Sequence, residues 1–301
     1  MAKAGQLIST NRGARVSKPL APGLYLVATP IGNLGDFSQR AVHTLASCDV
    51  IACEDSRTTG RLLQQYGLKT PRIAYHEHSA PGVREAILQR LAEGQRVALV
   101  SDAGTPLISD PGFKLVREAI AQNSYVSALP GPSAPLMALI LSGLPSDRFF
   151  FQGFLPPKGA ARRALLASLA GIDATLIFFE SARRLPQCLA DMAQMLGDRQ
   201  AAVARELTKL FEEVRRDSLP VLRDHYAEAG PPKGEVVIVV GAPLNDSPDQ
   251  PGHEDALDNR LRDALTRYRL KEAVAQVAAA TGLPRKQVYA RALALTGKIE
   301  T

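Results

Sequence analysis

V-A-L-V-S-D-A-G-T-P-L-I-S-D-P-G, Val97 to Gly112, joins a short apolar run to a long polar loop. The run, Val97 to Ser101, reads as a buried strand. The loop Ser101 to Gly112 holds two Gly, two Pro, two Asp and two Ser, which is more than a simple connection needs. Loops this long in compact domains are commonly functional, and open α/β sheets place their ligands at the carboxyl ends of strands. Outward from this stretch, apolar runs alternate with amphipathic ones, as in an open, largely parallel α/β sheet. Further strands are expected at Leu24 to Ala28, Val50 to Cys53, Arg72 to Tyr75 and Tyr125 to Leu129. One helix opens after Ser79 with Pro81 in its first turn, aligns Val83, Ile87, Leu88 and Leu91 on one face, and stops at Gly94.

Beyond Gly143 to Pro145 a second set of strands follows, at Phe149 to Gln152, Thr175 to Phe179, Ala201 to Ala204 and Glu235 to Val240. Helices are expected at Ala160 to Leu169 and Leu185 to Leu196, with an alternating, antiparallel strand near Phe211 to Arg215. The predicted organisation is a basic, disordered tail over 1–20, an α/β domain over 21–142, and a mixed α/β domain over 143–242. A Pro-rich linker over 243–252 and a helical, helix-turn-helix-like unit over 253–301 complete it. In that last unit Ala278 allows close helix approach, Gly282 makes the turn, and Val288 packs the second helix back. Arg285, Lys286, Gln287 and Arg291 then face solvent, for nucleic-acid binding or in a hairpin used only for packing.

Composition narrows the function classes. The 301 residues suit about two domains at roughly 150 residues each. With 46% hydrophobic and 22% charged residues the chain is globular, excluding disorder throughout, collagen and coiled coil. Three cysteines, with Cys48 and Cys53 spaced C-x4-C and no matching pair, argue against a disulfide framework and a structural zinc. The longest apolar stretch, Leu136 to Leu141, is far short of the roughly 18 residues of a membrane span. No secretory segment opens the chain, so a reducing cytosol is expected. The net charge of +6 resides at the ends: four basic and no acidic residues in 1–20, and nine basic against six acidic in 253–301. The basic tail reads either as a solubilising extension or as a nucleic-acid-steering arm.

Three loops follow strands of the first domain: A-T-P-I-G-N-L-G-D (Ala28 to Asp36), Ser101 to Gly112, and L-P-G-P-S-A (Leu129 to Ala134). Their glycines and prolines bring backbone groups close to a ligand. There is no G-x-G-x-x-G after the first strand and no phosphate-binding loop, so a dinucleotide or triphosphate is not expected. His76 and His78 lack a third ligand, and no metal site is assigned. E-D-S-R, Glu54 to Arg57, reads as a helix N-terminus with an acidic cap. Basic residues at further loop ends, Lys158, Arg162, Arg163, Arg183, Arg184, Arg205 and Lys209, either converge on a polyanion-binding cleft or are separate solvated helix faces.

V-A-T-P-I-G-N-L-G-D, I-A-C-E-D-S-R, A-L-V-S-D-A-G-T-P-L-I-S-D-P-G, L-P-G-P-S-A, G-L-P-S-D-R-F, G-F-L-P, F-F-E-S-A-R-R, A-R-E-L-T-K and K-G-E-V-V-I-V-V occur in this order. Together they resemble the small-subunit ribosomal RNA methyltransferases of the tetrapyrrole methylase superfamily, over about 21 to 241. The resemblance implies a homodimer with S-adenosylmethionine held between two α/β domains. It also implies methyl transfer to the ribose 2′-hydroxyl of a cytidine in the decoding region of 16S rRNA, within the assembled small subunit. By motif position the cofactor lies against Pro30, Ser101, Asp102, Ala103, Gly104, Thr105, Pro106 and Leu107, with Ser133 and Ala134 nearby. Phe179, Glu180, Leu207, Lys233, Gly234 and Glu235 close over it. Either a carboxylate accepts the hydroxyl proton, with Asp36, Glu54, Asp55, Asp102 and Glu180 as candidates, or a cation among Lys158, Arg183 and Lys209 stabilises the developing oxyanion, the choice being open from sequence. RNA contacts are expected from Arg57, the second-domain cations Lys158, Arg162, Arg163, Arg183, Arg184 and Lys209, and the helical unit's Arg285, Lys286 and Arg291. Alternative readings are methylation of a corrinoid or porphyrin ring, and a nucleic-acid-binding regulator that senses a metabolite.

Overall fold

A computed structural model describes residues 19–76, 79–243, 253–281 and 284–296. The chain divides into two units, Met1–Gly241 and Ala242–Thr301. The expected tail, apart from its last two residues, and the expected linker, apart from Pro243, lie outside the described residues, as do His78 and Gly282.

The first unit begins with five strands, β1 (Gly23–Val27), β2 (Val50–Cys53), β3 (Arg72–Ala74), β4 (Arg96–Val100) and β5 (Val126–Leu129). They form one sheet in the order β3-β2-β4-β1-β5, parallel throughout. Helices α1 (Gln39–Ser47) and α2 (Ser56–Gln65) cover one face, where Leu45 and Leu63 meet Tyr25, Ile51 and Ala98. Helices α3 (Pro81–Ala92) and α4 (Phe113–Ala121) cover the other, where Ile87, Leu91 and Leu115 meet Leu24, Val50 and Leu99. Burial on both faces is why the central strands are apolar without alternation.

Helix α5 (Ala134–Ser142) leads into a second sheet of β6 (Phe149–Phe154), β7 (Thr175–Ser181), β8 (Gln200–Arg205), β9 (Glu213–Ser218) and β10 (Glu235–Val240). Its order is β6-β7-β10-β8-β9, with β6 and β7 parallel and the other pairs antiparallel. Helices α6 (Gly159–Leu169), α7 (Leu185–Leu196) and α8 (Leu219–Ala229) pack on the face bearing Leu176, Phe178, Val203 and Ile238. The opposite face, with Ile177, Ala202, Ala204 and Val237, packs against Ala138 and Leu139 of α5 and against Ile31 from the first sheet's leading loop. Helix α5 precedes the expected boundary at 143 but covers the second sheet. Its sequence A-P-L-M-A-L-I-L is apolar on all sides, and while Ala138 and Leu139 are buried against the second sheet, Leu136 and Ile140 stay exposed.

Arg162, expected to face RNA, turns inward. Its guanidinium donates to Asp191 on α7 at 2.7 Å and 2.6 Å, with both side chains 4% exposed, so the pair clamps α6 to α7. Arg163 approaches the same carboxylate at 3.2 Å.

The second unit contains α9 (His253–Arg267), α10 (Leu270–Thr281) and α11 (Arg285–Thr296) around Leu257, Leu261, Val274, Val277, Val288 and Ala292. Val288 is fully buried, as its spacing predicts, and Arg285, Lys286 and Gln287 are exposed. Arg291 is corrected: it forms a two-pronged pair with Asp258 of α9 at 2.6 Å and 3.0 Å, anchoring α11 to α9. Among the described residues no helix is long and apolar enough to cross a membrane. Cys48, Cys53 and Cys188 are buried free thiols.

Asp191→Ala leaves the Arg162 guanidinium buried without a counter-ion. Urea unfolding is expected to show a loss of about 3–5 kcal/mol, with most of it recovered when the pair is replaced together by Arg162→Met and Asp191→Leu.

Candidate active site

The loops after β1 and β4 are joined by a two-residue antiparallel bridge. Thr29 N–H donates to the Gly104 carbonyl at 2.9 Å, and Gly104 N–H donates to the Thr29 carbonyl at 3.0 Å. The Thr29 hydroxyl donates to the Ser101 carbonyl at 3.1 Å and the Ser101 hydroxyl to the Gly104 carbonyl at 2.8 Å. Short stretches of these loops line one of two cavities each.

On one side lies a cavity of about 420 Å³, within the range usual for small-molecule sites. The first sheet's loops contribute Ile31, Ala103 to Thr105, and Ile108 to Asp110, and α5 contributes Ser133 to Pro135. The second sheet contributes Phe154, Phe179 to Ala182, Leu207 and Gly234 to Val237. On the other side is a cavity of about 340 Å³ lined by Thr29, Pro30, Ser101 and Asp102 together with α2.

Two of the loops hold non-glycine residues in left-handed backbone, which costs on the order of 1–3 kcal/mol each. Leu107 (φ 71°) and Ser109 (φ 65°) lie in the loop after β4, and Glu206 (φ 50°) and Thr208 (φ 66°) in the loop after β8. Packing holds them there. Leu107 belongs to the first sheet's core, and a Cβ on Gly112 would lie 2.7 Å from Leu99 and 3.1 Å from Leu107. Gly234 (φ 94°) is required because a Cβ there would collide with the Glu206 carboxylate.

The larger cavity has a pronounced charge bias. Its described lining includes Asp110, Glu180 and Glu235 but no Lys, Arg or His. Asp110 is half-buried, and burial first, then the Glu54 carboxylate, push its carboxyl up to about 6 against the lowering effect of the Ser101 hydroxyl. Burial and the charge of Asp102 raise Glu54 as well. Asp102 accepts the Asp55 N–H at 3.1 Å. Glu54, Asp102 and Asp110 thus form one interacting acidic group at the ends of β2 and β4.

The expected cofactor residues divide accordingly. Ala103, Gly104, Thr105, Ser133, Ala134, Phe179, Glu180, Leu207, Gly234 and Glu235 line the larger cavity, whereas Pro30, Ser101 and Asp102 line the smaller. Pro106 is buried, Leu107 points into the first core and Lys233 is exposed, and none of the three lines either cavity. Ile31, Ile108, Ser109, Asp110, Phe154 and Val236 line the site without having been singled out individually. The loop composition carried a signal for Ile31 and for Ile108 to Asp110; Phe154 and Val236 are brought to the site by the packing of the second sheet.

Several proposed acids are committed elsewhere. Glu180 is buried and accepts from Arg184 at 2.7 Å and from the Ser181 N–H at 2.7 Å. Asp55 caps α2 and is chelated by Arg57, whose hydrogen bonds hold it down at about 2. Asp36 is exposed and lines neither cavity. Among the bases, Lys209 bridges Glu206 and Glu235 at 2.9 Å each. Lys158 and Arg183 are exposed. No group of three or more metal-ligating side chains occurs among the described residues.

The site suits S-adenosylmethionine. Its apolar walls and glycine-bearing turns fit the nucleoside, Ser133 has a hydroxyl that makes no capping bond to α5, and the carboxylate-biased lining complements a sulfonium cation. The lack of a basic group in the described lining disfavours a phosphate-bearing ligand.

Residues 23–222 match the family model of the Tetrapyrrole (Corrin/Porphyrin) Methylases, and residues 251–296 match that of the RsmI C-terminal HTH domain. The chain is 50% identical to ribosomal RNA small subunit methyltransferase I of Mesorhizobium japonicum, covering 93% of this chain and 94% of that one. It is 52% identical to the same-named protein of Erythrobacter litoralis, covering 93% and 97%. Among solved structures, diphthine synthase matches with a TM-score of 0.56 at 17% identity, covering 72% of this chain and 89% of that one. The methyltransferase CobJ matches with a TM-score of 0.55 at 20% identity, covering 73% and 94%. These two neighbours agree in fold, while the closer sequence relatives carry the narrower assignment: the chain belongs to the tetrapyrrole methylase family and, within it, to the ribosomal RNA small subunit methyltransferase I group.

Proposed function

We propose that this protein transfers the methyl group of S-adenosylmethionine to the ribose 2′-hydroxyl of a cytidine in the decoding region of 16S rRNA, acting on the assembled small subunit as a cytoplasmic homodimer. The observation that carries the cofactor assignment is the larger cavity, acidic and free of basic residues in its described lining, between the two sheets. The RNA assignment rests on the relatives named for small-subunit ribosomal RNA. Large apolar side chains exposed on α4 and α5, Phe113, Ile120, Leu136 and Ile140, support a subunit interface.

When bound, S-adenosylmethionine supplies a sulfonium methyl whose transfer needs no metal. The chain's own task is alignment, which can supply much of the acceleration in a displacement of this kind. The bridge at Thr29 and Gly104 holds the walls of both cavities in place. As the ribose oxygen gains carbon its proton must leave, and Asp110 accepts it. Of the acids that line the larger cavity, Glu180 is tied to Arg184 and Glu235 to Lys209. Asp110, near 6, is ionised at neutral pH yet holds a proton better than an ordinary carboxylate, as a general base should. Glu54 and Asp102 keep that proton affinity high by their charge.

Incubation with labelled S-adenosylmethionine and small subunits is expected to yield 2′-O-methylcytidine after nuclease digestion. Label on a corrinoid precursor instead, or on neither, overturns the assignment.

Asp110→Asn is expected to lower turnover by roughly 10²–10⁴-fold while S-adenosylhomocysteine affinity changes little. In the wild type, turnover falls as pH drops through about 6, because Asp110 takes up a proton there. An acid limb that survives in Asp110→Asn would assign the proton to another group. The folded-state value lies above the unfolded one, so the native state is penalised as pH rises through about 6. Asp110→Asn should therefore raise Tm at pH 8 and leave it nearly unchanged below pH 4.

A further inference from the structure

The smaller cavity, lined by Pro30, Ser101 and Asp102, shares no lining residue with the larger one. One wall carries Pro30, Ser101 and Asp102, whose immediate neighbours Ile31 and Ala103 line the cofactor cavity. The smaller cavity therefore adjoins the cofactor cavity at the loops after β1 and β4. The opposite wall is α2, which presents Thr58, Arg61, Leu62 and Gln65, and Leu34 adds a second apolar surface. Thr59 also lines this wall; it is 3% exposed, and its hydroxyl oxygen is buried without a hydrogen-bond partner.

The outer side of the same helix forms a groove with Arg57, Arg61, Lys69 and Arg72 and no acidic residue in its described lining. Asp55 neutralises Arg57, whereas Arg61, Lys69 and Arg72 are exposed and form no ion pair with the described residues. Gly60 keeps the groove open at its centre, since a Cβ there would lie 3.0 Å from the Arg72 guanidinium. Arg61 borders both the cavity and the groove.

We propose that the smaller cavity receives the acceptor nucleoside, turned out of its RNA strand, and that the groove behind α2 holds the flanking phosphates. The proposal rests on the reading of RNA as the methyl acceptor given above. Enzymes that act on a nucleoside within structured nucleic acid extrude it into a pocket and read it by stacking and edge hydrogen bonds. Leu34, Leu62 and Pro30 offer the apolar surfaces. Gln65 can both donate and accept, and Arg61 only donates, which matches the mixed donor and acceptor edge of cytosine. The ribose belongs at the Ser101 and Asp102 end, where the cavity adjoins the cofactor's and where Asp110 interacts with Ser101. The three unpaired cations then meet phosphates, whose attraction is not sequence-specific.

The test compares Gln65→Ala, Thr58→Leu and the double variant Lys69→Ala/Arg72→Ala with wild type, using methyl transfer to small subunits, calorimetric binding of S-adenosylhomocysteine, and a titration of the S-adenosylhomocysteine-saturated protein with cytidine and uridine. Arg223→Ala on α8, paired with Asp224, is the control that should behave as wild type. Gln65→Ala and Thr58→Leu are expected to lower kcat/KM at least tenfold with S-adenosylhomocysteine affinity within twofold. The double variant should raise KM for subunits and reduce the salt dependence of log kcat/KM by roughly 1 to 2 in slope. Cytidine should bind more tightly than uridine, and binding should be lost in Thr58→Leu. Wild-type transfer by all three variants overturns the proposal while leaving the methyltransferase reading intact. Absence of transfer in wild type overturns the RNA reading, and the titration then decides the cavity: cytidine binding unaffected by Thr58→Leu, or absent from wild type, overturns its assignment.

Discussion

The two reciprocal backbone hydrogen bonds between Thr29 and Gly104 tie the loop after β1 to the loop after β4. Everything proposed for catalysis depends on this tie. Without it, each loop would be a separate excursion from its strand, and the two cavities would have no common wall. The Ser101 and Thr29 hydroxyls close further hydrogen bonds within the same knot, so its polar groups stabilise the wall. Fixed loops that border both the donor and the acceptor space hold the two reactants in one alignment, as a direct transfer requires.

Strain and charge are distributed around that wall with a consistent logic. Left-handed Leu107 and Ser109 lie in a loop anchored by the first core, and left-handed Glu206 and Thr208 in one anchored by Lys209 and Glu235. Each conformation would be unfavourable in an isolated peptide and persists because its surroundings leave no alternative. The charges separate by sign. Acidic groups gather where a cationic cofactor belongs, and unpaired cations gather on the outer side of α2, where an anionic strand belongs. Many remaining cations are spent within the protein: Arg162 on Asp191, Arg184 on Glu180, Lys209 on two glutamates, and Arg291 on Asp258.

The partition also explains why α5 matters. It departs from the first sheet at Ser133, contributes to the cofactor cavity with its first turn, and buries Ala138 and Leu139 against the second sheet. Ile31 reaches the same cluster from the loop after β1. The two sheets therefore position the cavity as a joint product of one continuous unit.

The strands and the ligand-bearing loops were legible in the linear order of residues because their signals are local. The apolar runs at Val50 to Cys53 and Glu235 to Val240 match β2 and β10, Pro81 and Gly94 bracket α3, and the Gly and Pro content of Ser101 to Gly112 marks the site loop. Family motifs in order carried the cofactor assignment. What a line of residues does not contain is the partner of each charge or the side of a wall on which a residue falls. Arg162 and Arg183 look alike in sequence, yet one is buried against Asp191 and the other is exposed. Asp102 and Asp110 share one loop, yet they line different cavities. Those distinctions arise from contacts between segments distant along the chain, where burial and neighbouring charges set ionisation and a single backbone bridge sets direction.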